Sequence, residues 1–200
     1  MSISVVIPTV SGNEEILKRC IDSLKLNTNI PFEVIVEKNT FKGTTEPMNR
    51  GIRKAGLNDV VIISDDTVIL EPMWLEKMIK KLNSNPKCLA VSSSTTLNKK
   101  HKIYDFEYHL GGFNPIYIKR EAFNRIGLLD ENLMCYGEEK DFCIRLTLAG
   151  FTILYEPLRN DHIMETTIAK FLNTEAMKNI SEEYLNKKWR FLDESLSNRS

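Results

Sequence analysis

The chain has 200 residues, 42% of them apolar and 27% charged, enough for one domain around a continuous hydrophobic core. Lys plus Arg and Asp plus Glu each total 27, a balance that argues against a protein whose main task is gripping nucleic acid. No apolar stretch is long enough to read as a membrane span, and Met1–Pro8 lacks the basic region of a signal peptide, so a cytoplasmic location is expected, with attachment to a membrane surface allowed. The cysteines, Cys20, Cys88, Cys135 and Cys143, lack close metal-site spacing and read as reduced structural thiols.

Short apolar runs alternate with helical patterns through the first half, the signature of a layered α/β fold with a mostly parallel central sheet. Ile3–Ile7 predicts a buried strand ended by Pro8. Ile16, Cys20 and Leu24, at four-residue spacing, predict a helix with one buried stripe. Phe32–Val36 reads as a second strand, and Met48–Ala55 as a short helix stopped by Gly56. Val60–Ile63 is a third strand, closed by Ser64, Asp65, Asp66 and Thr67. Pro72 opens a helix on which Leu75, Met78, Ile79 and Leu82 share a face, and Leu89–Val91 is another strand.

Thr96–Asp105 is polar and basic and reads as a mobile loop. Gly111 and Gly112 precede an apolar, aromatic segment, Phe113–Ile118. A helix is expected over Arg120–Ile126 with Gly127 as its stop, and another over Glu138–Ala149 between Gly137 and Gly150. Phe151–Tyr155 reads as a strand, and Glu165–Ser200 as mainly helical. The economical division is a core over 1–162 and a helical C-terminal extension of the same domain over 163–200.

In such a sheet ligands bind beyond the carboxyl ends of the strands. Glu37 falls after the second strand, and Asp65 with Asp66 after the third. Adjacent carboxylates at that place suit a hard divalent cation shared with substrate phosphates; a turn or a helix cap accounts for them equally well. Glu138, Glu139 and Asp141 form a second acidic group. They are explained either by the dipole of the helix they open or by a base exposed at a cleft. His162, beside Asp161, can complete a metal site or touch phosphates, though a loop histidine is also commonly structural.

These segments, in this order, resemble the family 2 glycosyltransferases with the A-type fold, a three-layer α/β sandwich with a Rossmann-like nucleotide-binding half. The resemblance runs through SVVIPTV (4–10), RCIDSL (19–24), FEVIVEKN (32–39), MNRGIRKAG (48–56) and VVIISDDTVIL (60–70). It continues through Gly111–Gly150 and ILYEP (153–157) to His162. It implies an inverting transferase that moves a sugar from a nucleotide sugar, of UDP or GDP type, with manganese or magnesium. The acceptor, a glycan, a lipid-linked molecule or a protein, is not implied, and a homodimer is allowed.

Carried over residue by residue, Asp66 matches the metal-contacting aspartate, with Asp65 and His162 beside it. Pro8, Thr9, Glu37, Asn39 and Asp65 fall on the donor side, and Gly112, Glu138 and Asp141 on the acceptor side. Glu139 stands where relatives place the catalytic aspartate. Two positions depart from the pattern: Glu37-Lys38-Asn39 replaces Val-Asp-Asn, and Glu139 adds a methylene to the expected base. These departures prompt one alternative, a catalytically degenerate sugar-nucleotide-binding or scaffolding domain. A nucleotidyltransferase is the other, but its basic Gly-rich triphosphate loop has no counterpart in Thr9–Glu15, which holds Gly12 and no Lys or Arg.

Overall fold

The computed structural model describes residues 2–39, 43–93, 100–104, 106–109, 112–162 and 174–193. Strand β1 (Ile3–Thr9) is buried along its whole length, which is why its sequence runs apolar without alternation. It lies between β2 (Glu33–Lys38) and β3 (Asp59–Ile62), parallel to both. The strand outlasts Pro8, the residue expected to end it. Val6 O accepts from Ile63 N and so faces β3, and Pro8, two residues on, shares that side. β3 ends at Ile62, so the N–H that Pro8 lacks removes no ladder bond. β2 also runs beyond Val36, which puts Glu37 inside the strand rather than after it.

The sheet is completed by β5 (Cys88–Ser92), β8 (Ile116–Ile118) and β9 (Thr152–Tyr155), in the order β2-β1-β3-β8-β5-β9. It is parallel except for β8, which is antiparallel to both neighbours. Alternate residues feed two separate cores. Ile3, Val5, Ile7 and Val61 pack with α1 (Glu14–Leu26) and α3 (Trp74–Leu82) on one face, through Cys20, Leu24, Trp74 and Met78. Val6, Val60 and Ile62 pack on the other face with α2 (Thr45–Lys54), α4 (Arg120–Ile126) and α5 (Glu138–Leu148). The result is a three-layer α/β sandwich.

The last described helix, α6 (Thr174–Trp189), adds Leu185 and Trp189 to that second core. Residues 165–173 and 194–200 lie outside the described residues. α2 begins at Thr45, earlier than expected, because Pro47 falls in the first turn, where its missing N–H has no intrahelical partner to lose. Gly51 of α2 sits against β1; a Cβ there would come within 2.3 Å of Val6 Cγ1.

Two strand pairs correct the sequence reading. Lys100–Ile103 (β6) is not loop: it pairs antiparallel with β7 (Phe106–His109), and Ile103 and Tyr108 are buried. Residues 96–99 and 105 of the expected loop lie outside the described residues. Thr67–Ile69 (β4) is likewise a strand, paired antiparallel with β10 (Asn160–His162). No described helix is long and apolar enough to cross a membrane.

Candidate active site

In the order β2-β1-β3 the chain leaves β1 first to one side and later to the other, so β1 is a switch point, with a crevice beyond its carboxyl end. A cleft with a cavity of ≈ 210 Å³ opens there. Pro8 and Thr9 reach it from β1, Asn39 from the end of β2, and Asp65 and Asp66 from the turn after β3. Glu138, at the start of α5, and His162, at the end of β10, line it as well. Seven of the residues singled out from the sequence therefore meet in one place: Pro8, Thr9, Asn39, Asp65, Asp66, Glu138 and His162.

The two adjacent aspartates do different things. Asp65 Oδ2 accepts from Thr9 Oγ1 at 2.5 Å and from Asn13 Nδ2 at 3.1 Å, which ties the turn after β3 to the loop after β1. Burial, reinforced by the Asp66 charge, raises the Asp65 carboxyl against those two hydrogen bonds. Asp66 is also buried, and its Oδ1 lies 3.0 Å from His162 Nε2. The Asp66 carboxylate raises the His162 imidazole, with burial opposing it. Pairing of β10 with β4 makes this contact, since His162 stands opposite Thr67, the residue after Asp66.

A carboxylate and an imidazole at hydrogen-bonding separation are donors suited to manganese or magnesium when phosphate and water complete the shell. The described residues contain no cluster of three or more His, Cys, Asp or Glu side chains placed to hold a metal. The expected trio thus appears as a pair, because Asp65 is turned toward Thr9 and Asn13. Behind the pair, Cys20 donates to Ser64 O at 3.6 Å, and burial together with the Asp65 and Asp66 charges pushes its thiol up to about 12. All four cysteines are reduced and buried, as structural thiols should be.

Across the cleft, Glu138 is 6% exposed, and its Oε2 finds no hydrogen-bond partner among the described residues. Its Oε1 is 3.5 Å from the Thr44 hydroxyl. Burial, then the neighbouring Glu139 charge, holds the Glu138 carboxyl well above the usual range. Glu139 is half-buried and is raised by the same burial, while its own amide, that of Gly137 and the adjacent Glu138 carboxyl pull it back. Burial pushes up the phenols of Tyr108 and Tyr136, with the Glu139 charge the least of the causes. Two adjacent carboxyls thus stand at the start of α5, and burial disfavours the charged form of both.

Glu37, Gly112, Glu139 and Asp141 do not line the cleft. Glu37 is 4% exposed and is occupied by Arg50 Nε at 2.9 Å and Lys54 Nζ at 2.6 Å. Burial alone would raise it, but the two cations hold it below the usual carboxylate range. Glu37→Gln should therefore destabilise the fold by about 1–3 kcal/mol at neutral pH in urea unfolding. A folded-state pKa that is depressed contributes stability above the unfolded value, lost as pH falls through the folded one, so the gap between parent and variant should close in acid. A variant of parental stability that instead loses nucleotide binding would return Glu37 to the site.

Asp141 is fully buried beneath the cleft, held by Arg145, Lys188 and Trp189, and Gly112 O accepts from Ser92 Oγ at 2.7 Å. Sequence reasoning missed Thr44, Met48, Ser64 and Cys135, which with Val10 and Tyr136 complete the wall. One signal was available in Gly43: its φ is +91°, and a Cβ there would lie 2.0 Å from Met134 O. That close approach lets Thr44 N donate to Met134 O at 2.7 Å, joining the two loops on that side of the cleft.

No protein-family profile and no curated protein matches the chain. Solved structures do. A mutant of Drosophila beta1,4-galactosyltransferase 7, in complex with manganese, UDP-Gal and xylobiose, superposes with a TM-score of 0.62 at 15% identity, over 88% of this chain and 79% of that one. S. aureus TarS in complex with UDP gives a TM-score of 0.56 at 15% identity, over 95% and 72%. A197 from STIV gives 0.56 at 14% identity, over 82% and 87%. At these identities the likeness establishes the fold: this is a GT-A, Rossmann-like α/β sandwich with a largely parallel central sheet.

Proposed function

We propose that the chain is an inverting, divalent-metal-dependent glycosyltransferase that moves a sugar from a nucleotide-sugar donor to an acceptor hydroxyl. One observation carries the reading. A single cleft at the switch point of the sheet joins the Asp66–His162 pair on one side to the buried Glu138 on the other. Structures of the same fold bound to manganese and UDP-Gal, or to UDP, support a nucleotide-sugar donor.

Pro8, Thr9, Asn39 and Asp65 form the donor wall, and Asp66 with His162 would hold the ion. That ion supplies charge neutralisation to the departing diphosphate. Glu139 accepts the proton of the acceptor hydroxyl as its oxygen bonds to the anomeric carbon. The bond from that carbon to the diphosphate breaks, and its electron pair leaves with the nucleotide. Glu138 lines the cleft beside this base, and burial brings Glu139 closer to the pKa that efficient proton transfer needs.

Isothermal titration with a panel of UDP- and GDP-sugars, with and without manganese, tests this directly. Micromolar binding of one donor that is weakened at least about tenfold without the ion is the expected result. Metal-independent binding would remove the metal from the proposal. Tight binding without transfer to any hydroxyl acceptor would favour the degenerate sugar-nucleotide-binding domain.

A further inference from the structure

The carboxylate of Asp141 is 0% exposed, one turn along α5 from Glu138, and it is filled from two elements. Arg145 of the same helix approaches Oδ2 at 2.8 Å. From α6, Lys188 Nζ approaches Oδ1 at 2.7 Å, and Trp189 Nε1 donates to that oxygen at 3.2 Å. Lys188 also reaches Asp130 Oδ2 at 2.6 Å, so one ammonium bridges the loop before α5 and the helix itself. Tyr184 OH donates to Asp130 at 2.9 Å, and Ser181 Oγ to Cys135 O at 3.0 Å. Gly137, with φ +90°, lets this helix close in: a Cβ there would meet Leu185 Cδ1 at 2.8 Å.

These contacts converge on the segment from Asp130 to Asp141, which carries Cys135, Tyr136 and Glu138 into the cleft. We propose that Lys188 and Trp189 are positioning residues: by holding Asp141 they fix the first turn of α5, and with it the Glu138–Glu139 carboxyl pair. The inference rests on the proposed transferase reading for its effect on turnover. The physical reason is that Asp141 and Glu138, three residues apart, share a helix face. A buried carboxylate stripped of a cation must reorganise, protonate or admit water, and each response moves that turn. The donor wall on β1, β2 and the turn after β3 makes none of these contacts. Loss of the clamp should therefore separate chemistry from donor binding.

The test compares Lys188→Met, Lys188→Arg and Trp189→Phe with the parent in the full chain. Amide hydrogen exchange over Glu138–Asp141 and UDP affinity in manganese are measured on all four, and kcat and donor KM where transfer is detected. Lys188→Met keeps the length of the side chain without its charge. It should speed exchange in that turn about tenfold and lower kcat about tenfold to a hundredfold, with UDP affinity and donor KM unchanged within about twofold.

Lys188→Arg should recover most of both losses, and Trp189→Phe, which keeps the apolar ring and loses only the N–H, should show the same pattern more weakly. Parental exchange in Lys188→Met, parental kcat in it, or a loss of UDP affinity that matches the loss of turnover would each overturn the proposal. Should Lys188→Met not fold, the same criteria apply to Trp189→Phe. A parent without transfer activity counts against the transferase reading alone, and the exchange rates then decide the positioning by themselves.

Discussion

Replacing Asp66 with Asn is expected to abolish manganese-dependent donor binding and to lower kcat/KM by roughly two to four orders of magnitude. The amide matches the carboxylate in size, so the turn after β3 and its tie to β1 should survive; these run through Asp65, Thr9 and Asn13. What disappears is the anionic oxygen at 3.0 Å from His162 Nε2. Without that oxygen the imidazole loses the main influence raising it, so His162 should also titrate at lower pH in the variant. Titration of donor against Asp66→Asn with and without manganese, beside far-UV circular dichroism to confirm the fold, makes the measurement. Retained manganese dependence and parental turnover would remove Asp66 from the metal site.

The second large effect is expected at Glu139. Glu139→Gln keeps the size and removes the base, so kcat should fall about 10²- to 10⁴-fold while donor affinity stays near the parent's. Glu138→Gln should cost less than about tenfold, because the amide fills the same place in the cleft wall and leaves the base intact. The pH profile supplies a separate check. Turnover that depends on an ionised base rises with pH through the pKa of that base. Since burial raises Glu139, the acidic limb should lie above the ordinary glutamate range. Near-normal turnover in Glu139→Gln, with collapse in Glu138→Gln, would move the base to the residue that lines the cleft.

The two carboxyls show how far helix geometry takes a sequence reading. Successive residues on a helix point about 100° apart, so Glu139 escapes the line of Arg145, which pairs with Asp141 one turn away. That Glu138 would be the more deeply buried of the two depends on Thr44 and the loop at Met134, residues distant in sequence. Burial of that kind has no local signature.

What the sequence determined by itself were the features set by short-range stereochemistry and periodic apolar patterning. The runs at Ile3–Ile7 and Val60–Ile63, the stripe through Cys20 and Leu24, and the helix from Arg120 to Ile126 all appear in the structure. Positive-φ glycines follow the helices ending near Gly56, Gly127 and Gly150, as their placement in the sequence suggested. These elements obey rules that act over a few residues, and so did the placing of Asp65 and Asp66 at a strand end.

Only the tertiary structure decided which carboxylates remain for chemistry, because that depends on which charges lie nearby in space. Glu37 is consumed by Arg50 and Lys54 on α2, Asp141 by Lys188 on α6 as well as Arg145, and Asp65 by Thr9 and Asn13. Asp66 meets His162 through a three-residue strand pair too short and too polar to show a period of two. A charged side chain in isolation is equally fit to bind, to catalyse or to hold a helix in place. The neighbour that neutralises it selects among these, and here that neighbour comes from a distant part of the chain.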